Sequence, residues 1–133
     1  MLTFLSNVLE YMCKLREREN IMKKAIETLI GTIKNDYYQW TLACAKGDLS
    51  DTNKRMIEEF DDGLRFEEGR KYIKVLTGSS VWGFVVAVDD DKKFRKGDIL
   101  KAAGYNAPAR NAPRGNVLDG GYEIRWTGPN YLI

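Results

Sequence analysis

Apolar residues in the first third of the chain follow a helical period. Met22, Ile26, Leu29, Ile33, Tyr37, Trp40 and Cys44 are spaced by three or four residues, which places them on one face of a helix. Lys46-Gly47 supplies the stop, a cation in the last turn and a glycine just beyond it. Gly31 lies inside the helix at a cost of about 1 kcal/mol relative to alanine. Upstream, Leu5, Val8, Met12 and Leu15 keep the same spacing and extend the stripe into something close to a heptad seam. Glu19 interrupts it with a charge. Two arrangements fit: one helix of about 40 residues, or two helices broken near Glu17–Asn20.

A shorter helix is expected next. Ser50 or Asp51 can cap it, Met56, Ile57 and Phe60 form its apolar stripe, and Gly63 ends it. The short Gly47–Leu49 link predicts an antiparallel helical hairpin. Arg65–Gly69 reads as a transition.

From Lys71 the pattern becomes that of strands. Tyr72–Leu76, Val81–Val88, Asp98–Ala102, Asn116–Leu118, Tyr122–Trp126 and Tyr131–Ile133 are the expected strands. Val81–Val88 is almost continuously apolar, as a central strand must be. Gly78-Ser79-Ser80 and Asp89-Asp90-Asp91 are turns, and Ala103–Gly115, with Pro108 and Pro113, is a long ordered loop. The expected fold class is therefore α+β. A helical region over 1–68, of two or three helices, precedes a small antiparallel β-sheet or partly open barrel over 69–133. The helices are expected to cover the sheet through Ile26, Leu29, Ile33, Tyr37 and Trp40, against residues such as Trp82, Phe84 and Val86.

Composition narrows the chemistry. The 133 residues contain no histidine, which removes the commonest general base and the commonest zinc ligand. The two cysteines, Cys13 and Cys44, fall in helical segments and are expected to be reduced thiols used in packing. No apolar run approaches the ~20 residues that span a bilayer, so no membrane partner is expected. Met1–Leu5 is apolar but lacks a basic flank and a small-residue cleavage site, so it reads as part of an amphipathic helix. Arg16-Glu17-Arg18-Glu19-Asn20 is open to purine-rich codons before Met22, the texture of a bacterial ribosome-binding site, which leaves residues 1–21 open to being an upstream extension.

Charge is unevenly spread. Residues 1–68 hold 10 Lys/Arg and 13 Asp/Glu, and residues 69–133 hold 11 and 6, so a net −3 precedes a net +5. Asp89-Asp90-Asp91 is followed at once by Lys92, Lys93, Arg95 and Lys96, which oppose a bound cation, so a solvated hairpin tip is expected there rather than a metal site. Ser79 and Ser80 have no nucleophile elbow around them, and the glycines form no phosphate-binding motif. No catalytic residue, cofactor or metal is expected.

The basic stretch is the strongest functional signal. Lys92, Lys93, Arg95, Lys96, Lys101, Arg110 and Arg114 stand against the single acid Asp98, with Phe94 and Tyr105 interleaved. Cations that follow phosphates and aromatics that stack on bases are what sequence-tolerant single-strand binding needs. These cations and Tyr105 are the candidate contact residues for nucleic acid or an acidic protein surface. An uncovered apolar seam on the N-terminal helices is the competing surface, suited to homo-oligomerisation or to a partner protein.

The segments Lys96-Gly97-Asp98-Ile99-Leu100-Lys101-Ala102-Ala103-Gly104-Tyr105-Asn106-Ala107-Pro108-Ala109-Arg110-Asn111, Arg114-Gly115-Asn116-Val117 and Trp126-Thr127-Gly128-Pro129-Asn130-Tyr131-Leu132 resemble small uncharacterised proteins of tailed bacteriophages. The resemblance covers roughly Glu67 to Ile133. It implies an accessory protein in the cytoplasm of an infected bacterium and carries no catalytic residue. The expected function is a non-enzymatic binding module working through the basic loop; the alternative is helix-mediated assembly, or inhibition of a host protein, without nucleic-acid contact.

Overall fold

The computed structural model of the protein describes residues 2–130. The periodic segment forms one uninterrupted helix, α1, Leu2–Cys44, of 43 residues and about 65 Å. Glu19 does not break it, because that part of α1 is bathed in solvent, where a charge on the stripe costs little. Lys46 and Gly47 adopt left-handed backbone (φ 56° and 83°), and the Gly47 N–H donates to Leu42 O at 2.9 Å, closing the helix end. The second helix, α2, Asp51–Gly63, is capped by Ser50, whose hydroxyl accepts from the Asn53 N–H at 3.1 Å.

Four antiparallel strands form the main sheet, β1 (Leu64–Glu68), β2 (Tyr72–Thr77), β3 (Ser80–Val86) and β4 (Ile99–Leu100), in the order β1-β2-β3-β4. The segment expected to be a transition is thus an edge strand: Leu64 and Phe66 alternate with charged residues and pair with Thr77 and Val75. The expected central strand is central. The sheet is open and is not closed into a barrel. Two small hairpins follow, β5 (Ala102–Gly104) with β6 (Ala107–Pro108), and β7 (Ile124–Arg125) with β8 (Gly128–Pro129). Asn116 contributes only a single bridge to Asp98 in place of the expected strand. The expected strand Tyr131–Ile133 lies outside the described residues.

Met22, Ile26, Leu29 and Ile33 pack on one sheet face with Ile73, Val75, Trp82, Val85 and Ile99. Phe84 and Val86, expected on this face, lie on the other one with Phe94 and Leu100. A β-bulge explains the exchange. Val75 pairs with Gly83 and Leu76 with Val81, so Trp82 is an extra residue and the face alternation reverses beyond it. Trp82 faces α1 and its indole N–H donates to Arg125 O at 2.8 Å. Gly83 beside it admits no larger residue, since a Cβ there meets Leu100 O at 2.9 Å.

Tyr37 is the last buried residue of the apolar stripe. Trp40 is 47% exposed and both cysteines are exposed free thiols, so neither Cys13 nor Cys44 packs in a core. Tyr37 instead stacks on Phe60 of α2 (4.1 Å between centroids) and meets the edge of Trp126 (5.0 Å), while Asp36 accepts the Trp126 backbone N–H at 2.8 Å. These contacts tie α1, α2 and the β7–β8 hairpin together.

Candidate functional site

The basic segment folds over the sheet face opposite α1, and Phe94 is its anchor, 3% exposed among Phe84, Val86 and Leu100. Its organising group is Asp91. The carboxylate is buried, with 1% of its side chain exposed. It receives both terminal nitrogens of Arg110 at 3.0 and 3.1 Å, the Lys71 ammonium at 3.2 Å, and the backbone N–H groups of Lys93 and Phe94 at 2.8 and 2.9 Å. The Arg110 guanidinium, the two N–H groups and Lys71 hold the Asp91 carboxyl far below the usual carboxylate range. The expected solvated tip is therefore wrong for Asp91. Arg110 also donates to the Tyr72 hydroxyl and lies over the Phe94 ring at 4.8 Å, and the Lys93 ammonium donates to Arg110 O.

A second knot fixes the far side of the loop. Asp98 and Asn116 are both buried. The Asn116 amide donates to Asp98 Oδ1 and Lys96 O, each at 2.9 Å, and Asp98 Oδ2 accepts the Arg95 N–H at 2.9 Å. Gly97 (φ 92°) sits so close to Asn116 that a Cβ would lie 2.8 Å from its Oδ1.

The candidate residues therefore divide. Lys93 and Arg110 meet at Asp91. Arg95 pairs with Asp119 at 3.0 Å, which raises its pKa, on a solvated part of the surface. Arg114 donates to Asn111 Oδ1 and Ala112 O, and its buried Nε has no partner among the described residues. Lys101 donates to Pro129 O at 3.3 Å beside the β7–β8 hairpin. Tyr105 is exposed on the β5–β6 turn under the Lys74 ammonium, 4.2 Å from the ring centroid. Lys92 is exposed and Lys96 half-buried. Much of the positive charge thus serves as internal mortar for a covering loop.

The other surface is the first half of α1. Every residue from Ser6 to Ile21 is exposed, and burial begins at Met22. Val8, Met12 and Leu15 continue the seam that lower down packs on the sheet, flanked by Leu9 (65% exposed) and Tyr11 (63% exposed). Leu5 of the expected seam lies outside the residues whose side chains are described. Where this arm leaves the β-region, a cleft of about 330 Å³ opens between Arg18, Ile21 and Met22 on the helix and Asp89, Lys96 and Leu118 below. Helical spacing finds Val8, Met12 and Leu15; Leu9, Tyr11, Ile21 and Leu118 carry no sequence signal of exposure, each being an apolar residue beside another apolar one.

Among the described residues, no group of three or more acidic or thiol side chains is placed to hold a metal ion, and no helix is long and apolar enough to cross a membrane. Comparison with protein families, with curated proteins and with solved structures returned no match.

Proposed function

We propose that this chain is a non-enzymatic interaction module that docks on another polypeptide through residues 6–21 of α1. One observation carries the reading: a run of exposed helix displays Val8, Leu9, Tyr11, Met12 and Leu15, in line with the face that the same helix buries farther along. Clustered exposed apolar side chains mark contact surfaces. The sheet and its basic cover then serve as a rigid base for the arm. The likeness of the C-terminal block to tailed-phage proteins supports an accessory role inside an infected bacterium.

Cross-linking in producing cells with an amine-reactive reagent tests this. Lys14 lies on the arm with 65% of its side chain exposed. It is expected to give an intermolecular adduct to protein, insensitive to nuclease and lost in Met12→Asp/Leu15→Asp. Absence of any such adduct, or its persistence in the double variant, overturns the reading.

The basic loop supports a second reading, contact with nucleic acid or another acidic surface. The ammonium groups of Lys92 and Lys96 have no hydrogen bond or ion pair among the described residues, and Lys92, Lys93 and Arg95 are all exposed on one short segment. If single-stranded nucleic acid is the partner, affinity falls steeply with salt, and Lys92→Ala/Lys96→Ala reduces the slope of log K against log salt by about 1 to 2. No binding at low salt removes this reading.

A further inference from the structure

Asp91 gathers more positive charge than it needs. Its two oxygens already accept both terminal nitrogens of Arg110 and the N–H groups of Lys93 and Phe94. Arg110 alone balances its charge. The Lys71 ammonium is nevertheless held 3.2 Å from Oδ2, the same oxygen that Arg110 Nη1 reaches at 3.1 Å. Lys93 is drawn in by a carbonyl, Arg110 O, and not by an acid. Three cations thus meet at one carboxylate, which leaves a surplus of two positive charges. Like charges set this close repel, and neutralising Asp91 does not require them. The surplus faces solvent. Asp91 is buried, whereas the Arg110 and Lys71 side chains are 38% and 48% exposed and Lys93 is exposed. Arginine carries five N–H donors and lysine three. Arg110 uses three, on Asp91 and the Tyr72 hydroxyl, and each lysine uses one. Six N–H groups are therefore left without an acceptor among the described residues. Arg110 is held besides by its place over the Phe94 ring, so a ligand has little side-chain freedom to remove there.

Lys71 and Tyr72 also open onto a cleft of about 260 Å³, lined further by Lys74, Phe84 and Asn106. Asn106 accepts from the Lys74 ammonium at 2.6 Å, and its amide nitrogen has no partner among the described residues. Tyr105, its neighbour in the chain, is 55% exposed. Glu67 and Glu68 line the cleft too, matched in number by Arg70 and Lys74, so the surplus charge stays at the Asp91 end. We propose that Lys71, Lys93 and Arg110 receive a phosphomonoester dianion carried by a nucleotide, whose sugar and base lie in the cleft towards Asn106 and Tyr105. The inference goes beyond both readings above, since it needs neither the arm nor Lys92 and Lys96. Two negative charges match the surplus, and three terminal oxygens offer acceptor sites for the six free N–H groups. A phosphodiester, singly charged, meets only half of that surplus. Beyond the phosphate, the cleft offers an aromatic ring and an amide donor, the groups that stack on a base and hydrogen-bond its edge.

Titration of the purified full chain with short oligothymidylates, read by fluorescence anisotropy at about 0.15 M salt, tests this. A strand with a 5′-phosphate is expected to bind about tenfold tighter than the same strand with a 5′-hydroxyl. The preference is expected to fade below about pH 6, where the phosphate takes up a proton; the chain has no histidine to titrate there. Lys71→Ala/Lys93→Ala is expected to lose the preference with little change in melting, since Arg110 still neutralises Asp91, and Lys71→Arg/Lys93→Arg to keep most of it. Thymidine 5′-monophosphate that competes as well as the phosphorylated strand assigns the site to free nucleotides; competition only at much higher concentration assigns it to a strand end. Absent binding, equal affinity for the two strands, or inorganic phosphate or a phosphoserine peptide competing as well as the nucleotide overturns the proposal. So does a preference lost in Lys92→Ala/Lys96→Ala but kept in Lys71→Ala/Lys93→Ala, which leaves the salt-dependent reading of the loop standing.

Discussion

Truncating Leu29 to alanine is expected to lower the unfolding free energy by about 3 to 4 kcal/mol, while Leu15→Ala, two heptads earlier on the same stripe, changes it by less than about 0.5 kcal/mol in dilute protein. Leu29 is fully buried between Ile26, Ile33 and the sheet residues Ile73, Val75 and Val85. Its removal leaves a cavity that α1 cannot close, since the helix is held on both sides by Met22 and by the Tyr37–Phe60–Trp126 contacts. Leu15 is solvated, and alanine is as good a helix former. With total stabilities of 5–15 kcal/mol typical of domains, a loss at Leu29 of this size is a large fraction of the whole. Urea denaturation followed by far-ultraviolet circular dichroism measures both variants. Equal losses would mean that the lower half of α1 is no more embedded than the arm.

Asp91→Asn is expected to lower the melting temperature by several degrees at neutral pH and to blunt the protein's acid sensitivity. The native carboxyl is held far below its ordinary range by Arg110, by the N–H groups of Lys93 and Phe94, and by Lys71. An unfolded aspartate protonates near pH 3.9. As pH falls from about 5, the unfolded chain therefore takes up a proton that the native chain refuses, and stability is lost. Above that range the contribution is present in full. Asparagine cannot ionise, so the gap between wild type and variant should be widest at pH 7 and shrink towards pH 2 to 3. Melting curves of both proteins across this range check it; a gap that stays constant would show that Asp91 is not the group that responds to acid. The same substitution should loosen residues 89–114, because Arg110 and Lys71 lose the charge that both of them face.

The two effects come from parts of the chain that were unequally readable from sequence. The register of α1 is stated by Met22, Ile26, Leu29, Ile33 and Tyr37, because a helix packed on a sheet must repeat its apolar residues every three or four positions. Its continuity through Glu19 is not stated, because a charge on a seam is ruinous in a core and harmless on a solvated arm, and sequence spacing cannot tell the two apart. β1 is marked by Leu64 and Phe66, but the strand is five residues long and starts directly at the end of α2, with no turn to announce it. The bulge at Trp82 is marked only by Gly83, the kind of residue that often accompanies a bulge inside a strand, and it sends Phe84 and Val86 to the face opposite the one that simple alternation from Trp82 gives. Asp91 looks like its neighbours Asp89 and Asp90. Only folding brings Arg110 and Lys71 to it across 19 and 20 residues of chain, and that same event turns much of an apparently free basic surface into internal pairing.

Synthesis order gives the split helix a further consequence. Residues 22–37 leave the ribosome well before the strands that cover them, and β4 ends at Leu100. At about 5–20 residues per second, Ile33 waits roughly 3 to 13 s for that strand to be made. During this interval the nascent chain offers an apolar ribbon from Val8 to Tyr37, interrupted only by Glu19. The time at which the sheet closes over the lower half therefore decides how much of the ribbon stays open to other chains.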